Sequence, residues 1–383
     1  MQVPFTLEEL IKIRHDFHQE PELGFQESKT KEKVAQYLKE LGLEVSVGAG
    51  VVGILRAGQG NRAIGLRADM DALPIDEKST HNYPSKQSGV MHACGHDGHM
   101  TMLLGAAAQL SQNPNFDGTV VFIFQPNEEN GLGALAMLEE GFLSKFPIEE
   151  VYGIHNLPGA PLGQVSTRIG IICSSESLFE IKIEGQGGHA SMPHLGRDAI
   201  TIGAELVQSL QTIVARKLAP ASGAVVSVTE FISDGARNIL PGRAILKGDV
   251  RARNPEDRDA ISKFMSDITK GIAQAHGVKI SMSFNTEFVE VINSEEPTQA
   301  AVSAAQKAGF EVIANREPMS FSEDFAHFSN EVPGCFMLLG NGETGAHAQP
   351  LHADDYDFND DLIAIGSKLW SEIVYNRLPL EKG

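Results

Sequence analysis

Residues 91–99 read Met-His-Ala-Cys-Gly-His-Asp-Gly-His: three imidazoles, one thiol and one carboxylate in nine residues. Thiolate, imidazole and carboxylate are the ligand set of zinc and similar divalent ions. Cys94 and His96 stand two apart, so an extended backbone would send both side chains to one face. Asp97 is expected to orient a ligating imidazole from behind. Further donors lie downstream. Glu128 and Glu129 follow an apolar run ending at Gln125, and His155 closes another. Ligands in open α/β sheets gather at the carboxyl ends of strands, which places all three beside Cys94. Of two adjacent acids, one can bind a metal while the other takes a proton from water. His352 sits in an acid-rich loop, where spacing alone leaves ligand and bystander even. Asp69 and Asp71 could bind metal or hold the histidines. His189, among glycines in 185–194, could stabilise an oxyanion; taken alone, it reads as a surface turn histidine. A thiol hydrolase with Cys94 as nucleophile is a rival reading, and a non-catalytic metal-binding protein is another.

The elements that must position these groups follow from apolar periodicity. Helices are expected over 6–20, opened by the Thr6/Glu9 capping-box spacing, and over 28–41, closed by Gly42. Strands are expected at 44–47, 51–57 and 63–68, then a helix over 99–110 and buried strands at 119–125 and 151–155. A short helix falls at 134–141. Gly48-Ala-Gly50-Val-Val-Gly53 matches a dinucleotide fingerprint, but a β-branched run follows it instead of a helix. It reads as a hairpin turn. From 177 the order becomes strand 178–183, helix 198–217, strands 224–232 and 243–251, helix 255–275 and strand 279–284. That is the β-α-β-β-α-β ferredoxin-like unit. Alternation then resumes with helix 298–308, strand 311–314, helix 323–328, strand 335–339 and helix 360–376. The fold class is α/β, with a catalytic domain (1–176 and 290–383) interrupted by an inserted α+β domain (177–289).

The composition is globular, 42% hydrophobic and 21% charged, with a net charge of −19. So acidic a chain would repel phosphates, which argues against a nucleic-acid partner. Three scattered cysteines make no disulfide framework and fit a reducing compartment. No basic leader and no apolar run of about 20 residues is seen, so a cytoplasmic protein with no membrane partner is expected.

Taken together and in this order, from His18-Gln-Glu-Pro-Glu-Leu-Gly24 to Tyr356-Asp-Phe-Asn-Asp360, these motifs resemble the M20 metallopeptidase family. The resemblance is to its amidohydrolase branch, which cleaves N-acyl amino acids, and covers essentially the whole chain. It implies a three-layer zinc-peptidase-like catalytic domain with a lid and dimerisation insert. It also implies two divalent ions per subunit, with zinc, manganese, nickel and cobalt all open. The matching ligands are Cys94, His96, Glu129, His155 and His352. Glu128 matches the general base, and Asp71 joins Asp97 behind the ligands. His189 and Asn238 match lid residues at the scissile carbonyl, His189 often serving the neighbouring subunit of a homodimer. Arg251 is the candidate cation for the substrate carboxylate. A dipeptidase or aminoacylase-type activity is the alternative within the family. There are departures: Asp69 stands where peptidase relatives carry a ligating His, Gly248-Asp-Val-Arg251 replaces Gly-Thr-x-Arg, and Ala353-Asp354 replaces Asn-Pro.

Overall fold

Thr6 opens the first helix as its spacing predicts. Its hydroxyl accepts from Glu9 N–H at 3.2 Å, and the Glu9 carboxylate accepts from Thr6 N–H at 2.7 Å. This helix, α1 (Leu7–Gln19), buries Leu10, Ile13, Arg14, Phe17 and His18, a stripe at helical period that carries two basic residues inward. The computed structural model describes residues 5–380; the first four residues of the stretch read above for a leader lie outside them. The chain divides into two compact units. The first runs through Ile172 and resumes over Val291–Glu317 and from Glu323 onward. The second comprises Cys173–Glu290 and a short return, Pro318–Ser322.

In the first unit, eight strands form one sheet in the order Glu44–Val47, Val51–Ala57, Gly118–Gln125, Ala63–Asp69, Glu150–Pro158, Gly334–Gly342, Val165–Ser166, Val312–Ile313. The four central strands run parallel. Every residue of Ala63–Asp69 is buried. Successive side chains point to opposite faces, so burial along a whole strand means that both faces are covered. From Ala63–Asp69 the chain passes to one neighbouring strand, Gly118–Gln125, and then to the other, Glu150–Pro158. That reversal opens a crevice at the carboxyl ends. Gly48 and Gly50 lie in the hairpin turn between two antiparallel strands, as expected.

Helix α2 covers Ser28–Glu40, and helix α3 (His96–Gln112) begins three residues earlier than periodicity suggested. Almost all of it is buried, so no polar stripe marks its start. Small residues let the carboxyl-terminal helix Asp361–Arg377 lie close: a Cβ on Gly105 would meet Ser367 Oγ at 2.1 Å, and one on Gly366 would meet Met102 Sδ at 2.0 Å.

The second unit is a four-stranded antiparallel sheet in the order Val225–Ser233, Arg243–Ala252, Ser175–Glu184, Lys279–Phe288. This is the ferredoxin-like order. One face alternates into a core of Phe179, Ile181, Leu246 and Val250 against Leu206 and Met265 of the helices Ala199–Thr212 and Pro255–His276. Asn254 caps the latter helix by accepting from Asp257 N–H at 2.7 Å. The return segment was not foreseen in the insert. It joins through backbone contacts, Ser174 N–H donating to Met319 O at 3.2 Å, which no side-chain pattern announces. Among the described residues, no helix is long and apolar enough to cross a membrane.

Candidate metal centre

Cys94 and His96 do not sit on an extended run. Gly95 adopts φ of 91°, turning the chain so that His96 opens α3. A Cβ at Gly95 would meet Asn156 Oδ1 and Tyr356 Oη at 2.5 Å, so the turn needs glycine for both conformation and space. The turn still sends both side chains to one place. Cys94, His96 and His155 bring donor atoms within 4.8 Å of one another, as do the sets Cys94, Glu129, His352 and His96, Glu128, Glu129. Cys94 Sγ lies 3.3 Å from His155 Nε2. Glu129 spans the group, with Oε1 3.8 Å from His96 Nε2 and Oε2 3.4 Å from His352 Nε2.

The supports are specific. His96 Nδ1 faces the Asp71 carbonyl at 2.9 Å, and His155 Nδ1 faces the Asn156 carbonyl at 2.7 Å. A carbonyl only accepts, so each Nδ1 carries a proton, and in the neutral ring that would bind a metal Nε2 turns its lone pair inward. The Asp71 carboxylate accepts from Glu128 N–H and Glu129 N–H, both at 3.0 Å, and so sets the loop bearing the two acids. His352 holds φ of 67°, and its N–H donates to Ala93 O at 2.8 Å, tying the distant loop to the Cys94 segment. A left-handed backbone at a non-glycine residue is strained and is commonly kept at functional sites.

Asp97 does not orient His96, His155 or His352. It accepts from His18 Nδ1 at 2.9 Å and from Arg14 at 3.3 Å instead. One step along a helix rotates the side chain by about 100°, which carries Asp97 away from the face of His96. Sequence reasoning also passed over His99 and Arg67. His99 Nδ1 donates to Asp69 Oδ1 at 2.7 Å. The buried Arg67 pairs with Asp69 at 2.7 Å, Glu323 at 2.8 Å and Asp324 at 3.0 Å. Arg67 and Asp69 share one face of a strand at period two, a signal that could have exposed the pair.

The remaining candidates belong to the second unit. His189 pairs with Ile239 across a two-residue ribbon, and Ala190 N–H donates to Asn238 O at 3.1 Å, so His189 and Asn238 are neighbours. Ser191 N–H donates to His189 Nδ1 at 3.1 Å, which leaves Nε2–H as an outward donor. Arg251 is not a free cation: it holds Glu176 Oε1 at 2.5 Å, Asp249 Oδ1 at 2.9 Å and Ser322 Oγ at 2.9 Å.

The electrostatics of the cluster call for positive charge. Burial, then Glu129 and Glu128, push the Cys94 thiol well above its ordinary value. Burial and Glu323 push the Glu128 carboxyl well up. Burial drives His155 well down, whereas at His96 burial is outweighed by Asp69, Asp71 and Glu129, which hold it at about 10. His96 Nε2 and Glu129 Oε1 are buried with no hydrogen-bond partner. Buried polar atoms are rarely left so. A divalent cation would satisfy both atoms, favour the thiolate and offset the crowded carboxylates. The residues therefore fit the group. A thiol nucleophile needs a lowered pKa, the opposite of the shift at Cys94.

Comparison with known proteins places this geometry in a family. The model of peptidase family M20/M25/M40 matches residues 65–376. The chain belongs to that family. Hippurate hydrolase of Campylobacter jejuni is 40% identical over 97% of this chain and 97% of its own. N-acetylcysteine deacetylase of Bacillus subtilis is 33% identical over 95% and 96%. Among solved structures, the Bacillus subtilis YXEP protein, a dinuclear metal binding peptidase from the M20 family, superposes with a TM-score of 0.84 at 31% identity, covering 97% of this chain and 98% of that one. This M20 chain is a metallo-amidohydrolase.

Proposed function

We propose that the enzyme hydrolyses the amide bond of small N-acyl amino acids, acetyl, benzoyl or similar, to a carboxylic acid and a free amino acid. Two divalent ions would be held by Cys94, His96, Glu129, His155 and His352. The observation that carries this reading is the buried, unpartnered pair His96 Nε2 and Glu129 Oε1 beside Cys94 and His155. The names of the relatives, a hippurate hydrolase and an N-acetylcysteine deacetylase, support the substrate class. Bound divalent ions would supply Lewis acidity to the carbonyl and to water.

The protein's own groups do the rest. Glu128 stands beside Glu129 on the loop held by Asp71, and it is the base that takes the proton of the attacking water. The same carboxyl returns that proton to the leaving nitrogen. Oxygen adds to the acyl carbon, the carbon–nitrogen bond breaks, and the amine leaves neutral. His189 offers Nε2–H to the oxyanion, with Asn238 beside it holding the scissile carbonyl. Arg251 is assigned to the substrate carboxylate, which would have to displace one of its present acidic partners.

The second unit is the lid and the homodimer surface. Its edge strand Val225–Ser233 pairs on one side only and exposes Val225, Phe231 and Ile232. An apolar, unpaired edge is the kind of surface that a second copy covers. The acidic charge of −19 supports the absence of nucleic-acid partners, and three cysteines that form no disulfide support a reducing, cytoplasmic setting.

The test is hydrolysis of a panel of N-acetyl and N-benzoyl amino acids, with dipeptides as a separate arm, in Mn²⁺, Zn²⁺ or Co²⁺ and with chelator. Turnover of acyl amino acids abolished by chelation is expected. Turnover confined to dipeptides would assign the peptidase activity instead, and activity indifferent to chelation would remove the metals from the reaction.

A further inference from the structure

A second convergence of imidazole and carboxylate lies in the first unit, outside the cluster just described. His18 Nε2 of α1 stands 3.2 Å from Glu77 Oε1. His81 Nε2 stands 3.0 Å from the same oxygen. The three side chains are shielded, at 1%, 5% and 11% exposure for His18, Glu77 and His81. Their donor atoms all lie within 4.8 Å of one another. Two ligands bound to one zinc ion at about 2.0–2.1 Å, at tetrahedral angles, sit ~3.3 Å apart. The observed spacings are close to that edge.

The cluster is crowded without an ion. Besides the two imidazoles, the Ser79 hydroxyl also donates to Glu77 Oε1. Three groups thus aim at an oxygen with two lone pairs. Ser79 Oγ also lies 2.9 Å from His81 Nε2, within reach of the same centre. His81 Nδ1 has no hydrogen-bond partner, so beyond its Nε2 contacts that ring is held by stacking.

Each donor is braced. His18 Nδ1 faces Asp97 Oδ2 at 2.9 Å. A neutral His18 would donate there and turn Nε2 to an ion, which is the carboxylate–histidine–metal arrangement. Ser85 N–H holds Glu77 Oε2 at 2.5 Å. The His81 ring stacks on Tyr83 at 3.9 Å, and Tyr83 stacks on His15 at 3.6 Å. Such bracing fixes a site before its ligand arrives. His81 and Ser79 also line a cavity of about 390 Å³ that carries Asp355 and Asp357.

We propose that His18, Glu77 and His81 form an additional divalent-cation site of the zinc type, with two nitrogens, one carboxylate and a fourth position for Ser79 or water. It clips the loop 76–90 to α1. That loop runs directly into Met91–His96, so the ion braces the approach to the candidate centre from outside it.

Anomalous diffraction at the zinc edge from zinc-loaded crystals of the full chain is the first test. A peak between His18 Nε2, Glu77 Oε1 and His81 Nε2 is expected, apart from any density at Cys94. Its absence in crystals whose Cys94 cluster is filled would overturn the proposal. Zinc counted after gel filtration is the second. Wild type should hold three ions, His81→Phe, which keeps the stacking ring, two, and Cys94→Ser with His155→Ala at least one. A count unchanged in His81→Phe would also overturn it. A peak at His18 with an empty Cys94 cluster would instead sink the reading of the main centre and leave this site standing.

Discussion

Glu128 and His189 divide binding from chemistry at the scale of single residues. Glu128→Gln keeps the shape of the loop and removes the base, so metal content should be unchanged while turnover falls by about 10²–10⁴-fold. Elemental analysis beside an N-acyl amino acid assay checks this, and a fully active, metal-loaded variant would strip Glu128 of its role. His189→Ala removes an oxyanion donor, with an expected loss of about 10²–10³-fold in kcat at normal metal content. Asp324 carries a pH prediction. One buried guanidinium, Arg67, faces three carboxylates, Asp69, Glu323 and Asp324. Burial, only partly opposed by Arg67, pushes Asp324 up to about 7. The folded chain then holds a proton that the unfolded chain releases near pH 4, so this carboxyl makes stability fall as pH rises from about 4 to 7. Asp324→Asn should flatten that fall. Thermal midpoints of the chelated proteins across this range measure it, and parallel profiles would refute the assignment.

At the scale of elements, the turn before α3 decides where the thiol and the first ligating imidazole go. Gly95→Ala forces a side chain into a left-handed backbone and into Asn156 and Tyr356. A cost of ~1–3 kcal/mol is expected from the backbone alone, with weaker metal binding. Denaturant unfolding and a zinc titration would report the two effects, and a variant equal to wild type in both would show that the turn tolerates a Cβ. Most elements were legible because their residues repeat at 3.6 or 2. α1 is capped where Thr6 and Glu9 stand, and the ferredoxin-like order follows from alternating strands. The start of α3 was not legible. A helix buried on all sides has no polar face to mark its first turn, and Gly95 reads equally as loop or as junction.

The whole molecule raises the question of assembly. The exposed apolar edge of Val225–Ser233 supports a dimer formed through the second unit. Ile232, 50% exposed on that strand, is the place to test it. Ile232→Asp places a charge on the edge and should shift sedimentation from dimer toward monomer, while the fold, read by circular dichroism, stays intact. A wild type that sediments as a monomer at assay concentrations would end the proposal.

The donors of the candidate centre, their place at strand ends and the two fold classes were written in residue types and periods, because ligand chemistry and amphipathic repeats are local properties. The tertiary structure alone decided that Asp97 serves His18, that Arg67 meets Glu323 from 256 residues away, and that Glu77 and His81 close on α1. Such meetings depend on how finished elements pack against one another, and no spacing along the chain encodes that.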